Sequence, residues 1–359
     1  MNLRWLLLFI PIAIALTWLK ANPILVFFAS ALAIVPLAGL VGDATEALSR
    51  FLGATIGGLL NATLGNAPEI IIGFFALKHG LVDMVKASIT GSIVGNLLFG
   101  LGISIAAGGL RIPKQTMSFD LRAAHIQTGL LMVTTFGLII PAVFDFSTTS
   151  EREISLHIAV VLFLAYLVSV VVTMTMGNPD VPANSGGESN PPRSEGEEMA
   201  WSRNKALGIL ASVTVGLAVM SEIMTDALDP AAKSMGFTPL FAGVFLLALV
   251  GNTSELINSV RFARQNQFDL SLGITVGGSS QMALLVAPLL VFFGIAIGQN
   301  MNLLFSPFEL VAIILTVYAV INILHAGTVR WAAGFFLVAV YIMLGIGFYY
   351  VPAATAAGL

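Results

Sequence analysis

The chain has 359 residues, 57% of them hydrophobic and only 10% charged, with a net charge of −3. A soluble domain carries about 25% charged residues, so a mean hydropathy of +0.94 excludes an ordinary water-soluble fold, and the small net charge offers nothing to a nucleic acid. The absence of cysteine excludes disulfides, thiol catalysis and thiolate-held metals, and the four histidines, His79, His125, His157 and His325, are scattered.

Hydropathy and turn signals predict an all-α polytopic membrane protein with eleven transmembrane helices. The first, 3–19, follows Arg4 and has no convincing small-residue cleavage site behind it, so it reads as a spanning helix rather than a signal peptide. Spans at 23–42, 51–77, 82–109, 120–143 and 153–176 follow. The stretch 177–203, "GNPDVPANSGGESNPPRSEGEEMAWSR", is too polar to fold alone and divides the chain. Beyond it lie spans at 204–225, 237–263, 269–297, 307–326 and 330–350. The predicted organisation is an N-terminal transmembrane helix (1–22), a first five-helix repeat (23–176), an acidic cytoplasmic linker (177–203) and a second five-helix repeat (204–359).

Orientation follows from basic residues. With the N-terminus in the cytoplasm, eleven of the sixteen Lys and Arg lie inside, among them Arg4, Arg50, Arg111, Lys114, Arg122, Arg193, Arg203, Lys205, Arg261, Arg264 and Arg330. Lys20, Lys78, Lys86, Arg152 and Lys233 lie outside, and the C-terminus is outside as well.

The halves repeat. Sliding 51–102 by 186 positions lays it on 237–288 without a gap: Phe51 on Phe237, Gly57 on Gly243, Gly65-Asn66 on Gly251-Asn252, Glu69 on Glu255, Asp83 on Asp269 and Gly91 on Gly277. Five helices per repeat is an odd number, so the second repeat enters the membrane inverted. Inverted repeats place a transport site at midplane, where they meet.

Glu69 and Glu255 fall within about two turns of their span centres. A charge there costs at least ~3 kcal/mol, and no Lys or Arg of the flanking spans is deep enough to offset it. A transported cation or a proton remains. Asn66 and Asn252 each sit one turn before their glutamate and share its face. Ser88, Ser92 and Asn96 form a stripe on the next helix, and Gly277, Ser280 and Gln281 share a face on its counterpart. Pro68 brings no N–H to the carbonyl of Leu64, freeing that oxygen as a ligand. Carboxylates, amides, hydroxyls and carbonyls suit a hard cation, Ca²⁺ before Mg²⁺.

These residues lie in long stretches that resemble a known family. "GLLNATLGNAPEIIIGFFALKHGLVDMVKASITGSIVGNLL" and "LVGNTSELINSVRFARQNQFDLSLGITVGGSSQMALLVAP" are similar to the two signature regions of the cation/proton exchangers, a branch of the calcium/cation antiporter superfamily. "PLAGLVGDATEAL" resembles the segment ahead of the first signature. The resemblance covers most of the chain and implies exchange of cytosolic Ca²⁺ for H⁺. It implies that Glu69 and Glu255 are cation ligands and proton carriers, with Asn66, Ser92, Asn96, Asn252, Ser280 and Gln281 as the neighbouring polar positions. Two positions depart from the branch. Pro68 is similar to the Pro-Glu of the sodium/calcium exchangers, and Gly278 stands where the branch usually has serine.

The remaining polar residues have plainer readings. Asp120 and Glu309 read as helix caps, the latter with Ser306 at capping-box spacing. Asp43 and Glu46, and the cluster Glu222 and Asp226, are solvated helix ends or a cation access path, for which Glu46 and Glu222 are the candidates. His125 and His157 read as packed or interfacial. The linker acids Glu188, Glu195, Glu197 and Glu198 read as a tether, with weak Ca²⁺ sensing as the other reading.

The expectation is a secondary antiporter in a prokaryotic plasma membrane that exports Ca²⁺ for H⁺ by alternating access, with no resident cofactor. Its partners are the two cargo ions and the lipid bilayer; a homo-oligomer stays open. The alternatives are a Na⁺/Ca²⁺ exchanger or an antiporter for another divalent cation such as Mn²⁺. An intramembrane protease would need paired aspartates or a metal motif, and neither is present, so no enzyme is expected.

Overall fold

The computed structural model describes residues 3–112, 116–145, 151–175 and 201–352. The linker acids Glu188, Glu195, Glu197 and Glu198, with Lys114 and Arg193, lie outside the described residues.

Nine helices among the described residues are long and apolar enough to cross a membrane, and they match nine of the predicted spans. In chain order the helices are α1 (Leu3–Trp18), α2 (Pro23–Leu64), α3 (Ala67–Lys78), α4 (Val82–Gly109), α5 (Leu121–Asp145), α6 (Glu151–Thr175), α7 (Arg203–Ser234), α8 (Pro239–Arg264), α9 (Phe268–Ile297), α10 (Pro307–Leu324) and α11 (Trp331–Tyr349). The first predicted span is thus a short apolar helix, below the roughly 20 residues needed to cross hydrocarbon. The polarity is that of a protein dissolved in lipid. Val160, Val161, Leu164 and Val168 of α6 and Phe335, Phe336, Ile342 and Met343 of α11 face outward, while Asn66, Glu69, Asn96, Asn252 and Glu255 are buried.

The predicted helix 51–77 is not one helix. Its first part continues α2, which is not straight. A Cβ at Gly57 would lie 2.5 Å from the carbonyl oxygen of Ser49, whereas eight residues along a straight helix span about 12 Å. The chain therefore turns sharply between these residues, and Leu60 packs back against Ala44 and Leu48. The second part is α3, separated from α2 by a break at Gly65 and Asn66. Pro68 explains the break: it cannot donate to Leu64, and its ring crowds that carbonyl. The matching position of the second half is Ser254, which keeps its N–H, and α8 runs unbroken through Gly251 and Asn252.

α4 and α8 cross at the molecule's centre. A Cβ on Gly91 would collide with the backbone of Val244, and one on Gly243 would fall 2.5 Å from the Cβ of Ala87 and from the carbonyl oxygen of Met84. Packing is thus the role of Gly243, as is usual for small residues between membrane helices. Segments of wider π-helix occur at Gly95–Gly100 in α4 and at Met282–Val286 in α9, near-equivalent places in the two halves. Such bulges often mark functional positions because they displace carbonyls from the helical ladder.

Loop contacts fix which helix ends meet. Beyond the C-terminal end of α4, two three-residue strands, β1 (Thr116–Ser118) and β2 (Thr328–Arg330), pair antiparallel with Met117 opposite Val329. Among the described residues, these strands are the one departure from an all-helical expectation. At the same end the Asp120 N–H donates to Asp269 at 2.8 Å. At the opposite end of α4, Lys86 donates to Asn302 at 3.0 Å, and the Leu303 N–H donates to the Ser155 hydroxyl at 3.1 Å.

Candidate cation site

The broken segment delivers Glu69. Asn66 occupies the N-cap of α3, and Glu69 lies in the first turn, where the positive end of the helix dipole favours a carboxylate. Glu69 is 8% exposed, and the carboxyl group packs on α8: a Cβ at Gly251 would lie 3.4 Å from its Cγ and 3.7 Å from Oε1. Glu255, also 8% exposed, stands on α8 one turn further on, about 6 Å along the axis. The two acids are therefore neighbours on one helix surface.

Amides from the other half hold the groups in place. Asn66 Nδ2 donates to Gln281 Oε1 at 2.5 Å, and Asn96 Nδ2 donates to Glu255 Oε2 at 2.6 Å. Each bond joins a residue of the first half to one of the second. Asn252 is 6% exposed, and its Oδ1 is buried without a hydrogen-bond donor among the described residues. Together with Asn96 it lines a small cavity of about 20 Å³, lined as well by Phe99 and Tyr341. Ser92 and Ser280 are buried beside this centre, the Ser280 hydroxyl donating to the Val276 carbonyl at 3.2 Å. The predicted Asn66, Glu69, Asn96, Asn252, Glu255 and Gln281 thus converge. The donor set is oxygen throughout, which fits a hard cation.

Other candidates lie elsewhere. Glu46 pairs with Arg50 at 2.9 Å and Asp43 with Arg4 at 4.0 Å ahead of the turn in α2. Glu222 pairs with Lys78 at 3.0 Å and approaches His79 at 3.7 Å, and Asp226 lies 3.8 Å from His79. Both clusters are partly exposed, unlike the buried Glu69 and Glu255. These basic partners were not foreseen, although Lys78-His79 and Arg50 are visible as charges bounding apolar runs. Glu309 is a cap, as expected. It accepts from the Ser306 N–H and hydroxyl at 2.8 and 2.7 Å, and the Thr90 hydroxyl of α4 donates to it at 3.1 Å. Asp120 caps α5 through the N–H of Arg122 at 2.8 Å.

The family profile described as "Sodium/calcium exchanger protein" matches residues 22–175 and 205–350, nearly all of the chain outside the linker. The chain belongs to this exchanger family. It is 38% identical to the Ca(2+)/H(+) antiporter of Synechocystis sp., over 97% of this chain and 96% of that one. It is 36% identical to the Ca(2+)/H(+) antiporter ChaA of Bacillus subtilis, over 88% and 89% of the two chains. Among solved structures, native YfkE superposes with a TM-score of 0.81 at 32% identity, covering 95% of this chain and 97% of that one. Membership makes this exchanger an integral membrane transporter and not an enzyme.

Proposed function

We propose that this exchanger exports Ca²⁺ from the cytosol in return for H⁺, by competition of the two ions for Glu69 and Glu255. The carrying observation is the pair of buried carboxylates at one surface of α8, with Glu255 held by the Asn96 amide of the opposite half and Asn66, one turn before Glu69, bonded to Gln281 of the opposite half. The relatives named Ca(2+)/H(+) antiporter support the choice of cargo.

The chemistry follows from charge. Two ionised carboxylates give the site a charge matching one Ca²⁺, and Asn252 Oδ1, Asn66, Asn96, Gln281 and the Leu64 carbonyl are the further oxygens. Without a cation, neighbouring carboxylates out of water repel, and proton uptake relieves the repulsion. Each load neutralises the site, and the empty charged site is penalised. That penalty couples the two fluxes.

For access, we read two inverted five-helix halves, 23–176 and 204–359, with the N-terminus inside. The loop contacts agree with that path: the segments bearing β1, β2 and Asp269 meet at one end, and those bearing Lys86, Asn302 and Ser155 at the other. α2 and α7 pack together as a movable pair, with Arg4–Asp43 at one end and Lys78–Glu222 at the other. A prokaryotic plasma membrane is the proposed location.

Glu69→Gln and Glu255→Gln, each in inside-out vesicles with an acidic interior, test the reading. Both should reduce ΔpH-driven ⁴⁵Ca²⁺ uptake to background while the purified protein stays monodisperse. Substantial residual exchange in either variant would refute it.

A further inference from the structure

One of the differences between the two halves lies against a carboxylate. Ser92 of α4 corresponds, in the 186-residue repeat, to Gly278 of α9. Gly278 is buried in the helix interior, and its open side faces the Glu255 head group. A Cβ there would lie 3.2 Å from both Oε1 and Oε2, and 3.5 Å from Asn96 Nδ2. At Gly251 the corresponding Cβ would meet the methylene of Glu69 at 3.4 Å, an ordinary packing contact. So a side chain at 278 presses on both liganding oxygens of one acid, whereas one at 251 meets the other acid only at ordinary contact distances, 3.4 Å from Cγ and 3.7 Å from Oε1.

We infer that Gly278 is a specificity-determining residue: by leaving the space beside the Glu255 carboxylate empty, it sizes the site for large divalent cations, Ca²⁺, Sr²⁺ and Ba²⁺, over small ones. This rests on Glu255 being a cargo ligand, as proposed above. The physical reason is a match of scales. Ca²⁺ takes six to eight oxygens at about 2.3–2.6 Å, and Mg²⁺ demands six at about 2.0–2.1 Å. A Cβ at 3.2 Å is tighter than normal contact by a few tenths of an ångström, which is the same difference. It would displace both carboxylate oxygens together and remove the slack that a larger ion needs. Asn96 cannot absorb the shift, because its Nδ2 is already bonded to Oε2 at 2.6 Å and lies against the same Cβ position.

The substitution is mild for the fold. The atoms met are ends of side chains rather than backbone, and alanine is favoured over glycine in a helix.

The test compares Gly278→Ala and Gly278→Ser with the parent, in inside-out vesicles. ΔpH-driven ⁴⁵Ca²⁺ uptake is measured against competing Sr²⁺, Ba²⁺ and Mn²⁺. Both variants should lose potency of Sr²⁺ and Ba²⁺ relative to Ca²⁺ by roughly fivefold or more, and gain potency of Mn²⁺. The same ratios are read from competition against Ca²⁺-induced thermal stabilisation of the purified protein, which needs no turnover. Unchanged ratios in both assays, or a shift toward Sr²⁺ and Ba²⁺, would overturn the inference while leaving Ca²⁺/H⁺ exchange intact. Failure of the parent to exchange Ca²⁺ for H⁺ would instead strike the proposed function.

Discussion

Asn96 and Glu255 are 159 residues apart in sequence and 2.6 Å apart in space, the amide of one half donating to the carboxylate of the other. A hydrogen bond to a charged group is worth ~1.5–3 kcal/mol, and this one fixes where Glu255 points before any cation arrives. Asn96→Leu keeps the size and removes the donor. The apparent KM for Ca²⁺ should rise roughly tenfold or more, with expression and monodispersity unchanged. An unaltered KM in vesicle uptake would mean that the amide does not orient the ligand.

Pro68 is the second lever. It separates α3 from α2 at Gly65 and Asn66 and so puts Asn66 and Glu69 at a helix start inside the protein. Proline costs about 3 kcal/mol in a helix interior relative to alanine, so Pro68→Ala removes the bias toward a break. The segment should then favour a continuous helix, as its counterpart α8 does with Ser254. Transport should fall by roughly tenfold, with a melting temperature equal to or above the parent's. Parental transport rates in this variant would show that the break is not needed.

Much of this was legible in the sequence, for identifiable reasons. Long apolar runs must satisfy their backbone internally, so spans such as 82–109 and 269–297 can be read within a residue or two. The Gly-Asn-x-x-Glu register repeated at 186 residues pointed to Glu69 and Glu255, and both are buried. Pro68 also announced its lost hydrogen bond. Hydropathy is blind to a break, so it predicts one helix over 51–77 where the structure has two. The sharp turn after Ser49 falls at the junction between the predicted spans 23–42 and 51–77, where Glu46 and Arg50 interrupt the apolar run. Pairings such as Thr90–Glu309 and Lys78–Glu222 depend on how separate helices pack, which no local pattern encodes.

Alternating access makes an accessibility prediction. Thr45 on α2 and Met224 on α7 are both fully buried in this structure, at 0% exposure, and each lies within a turn of a charged cluster, Arg50–Glu46 and Lys78–Glu222 respectively. The ion pairs themselves are exposed enough to contribute at most ~1 kcal/mol, so they bias a gate without locking it. Because the chain has no native cysteine, Thr45→Cys and Met224→Cys report singly. Labelling by a membrane-impermeant maleimide should respond to Ca²⁺ and pH in opposite senses at the two positions. Parallel responses would argue against two gates opening in turn.

The coupling ion decides between H⁺ and Na⁺. Pro68 is similar to a sodium-exchanger feature, yet a sodium exchanger must cage several Na⁺ ions, which takes hydroxyls and carbonyls around the carboxylates. Here the second half has Gly278, which brings no hydroxyl, where the first has Ser92. Protons need no cage, only carboxylates kept from water, and both acids are 8% exposed. Ca²⁺ uptake into inside-out vesicles should therefore persist in Na⁺-free medium and be driven by interior acidity. The pH dependence follows from competition. Lowering the pH outside, the cytosolic face, protonates Glu69 and Glu255 where Ca²⁺ loads, so uptake should weaken as external pH falls at fixed interior pH. Raising external Ca²⁺ should restore it. If an imposed Na⁺ gradient drives uptake at equal pH on both sides, and a pH gradient does not, the proton assignment is wrong.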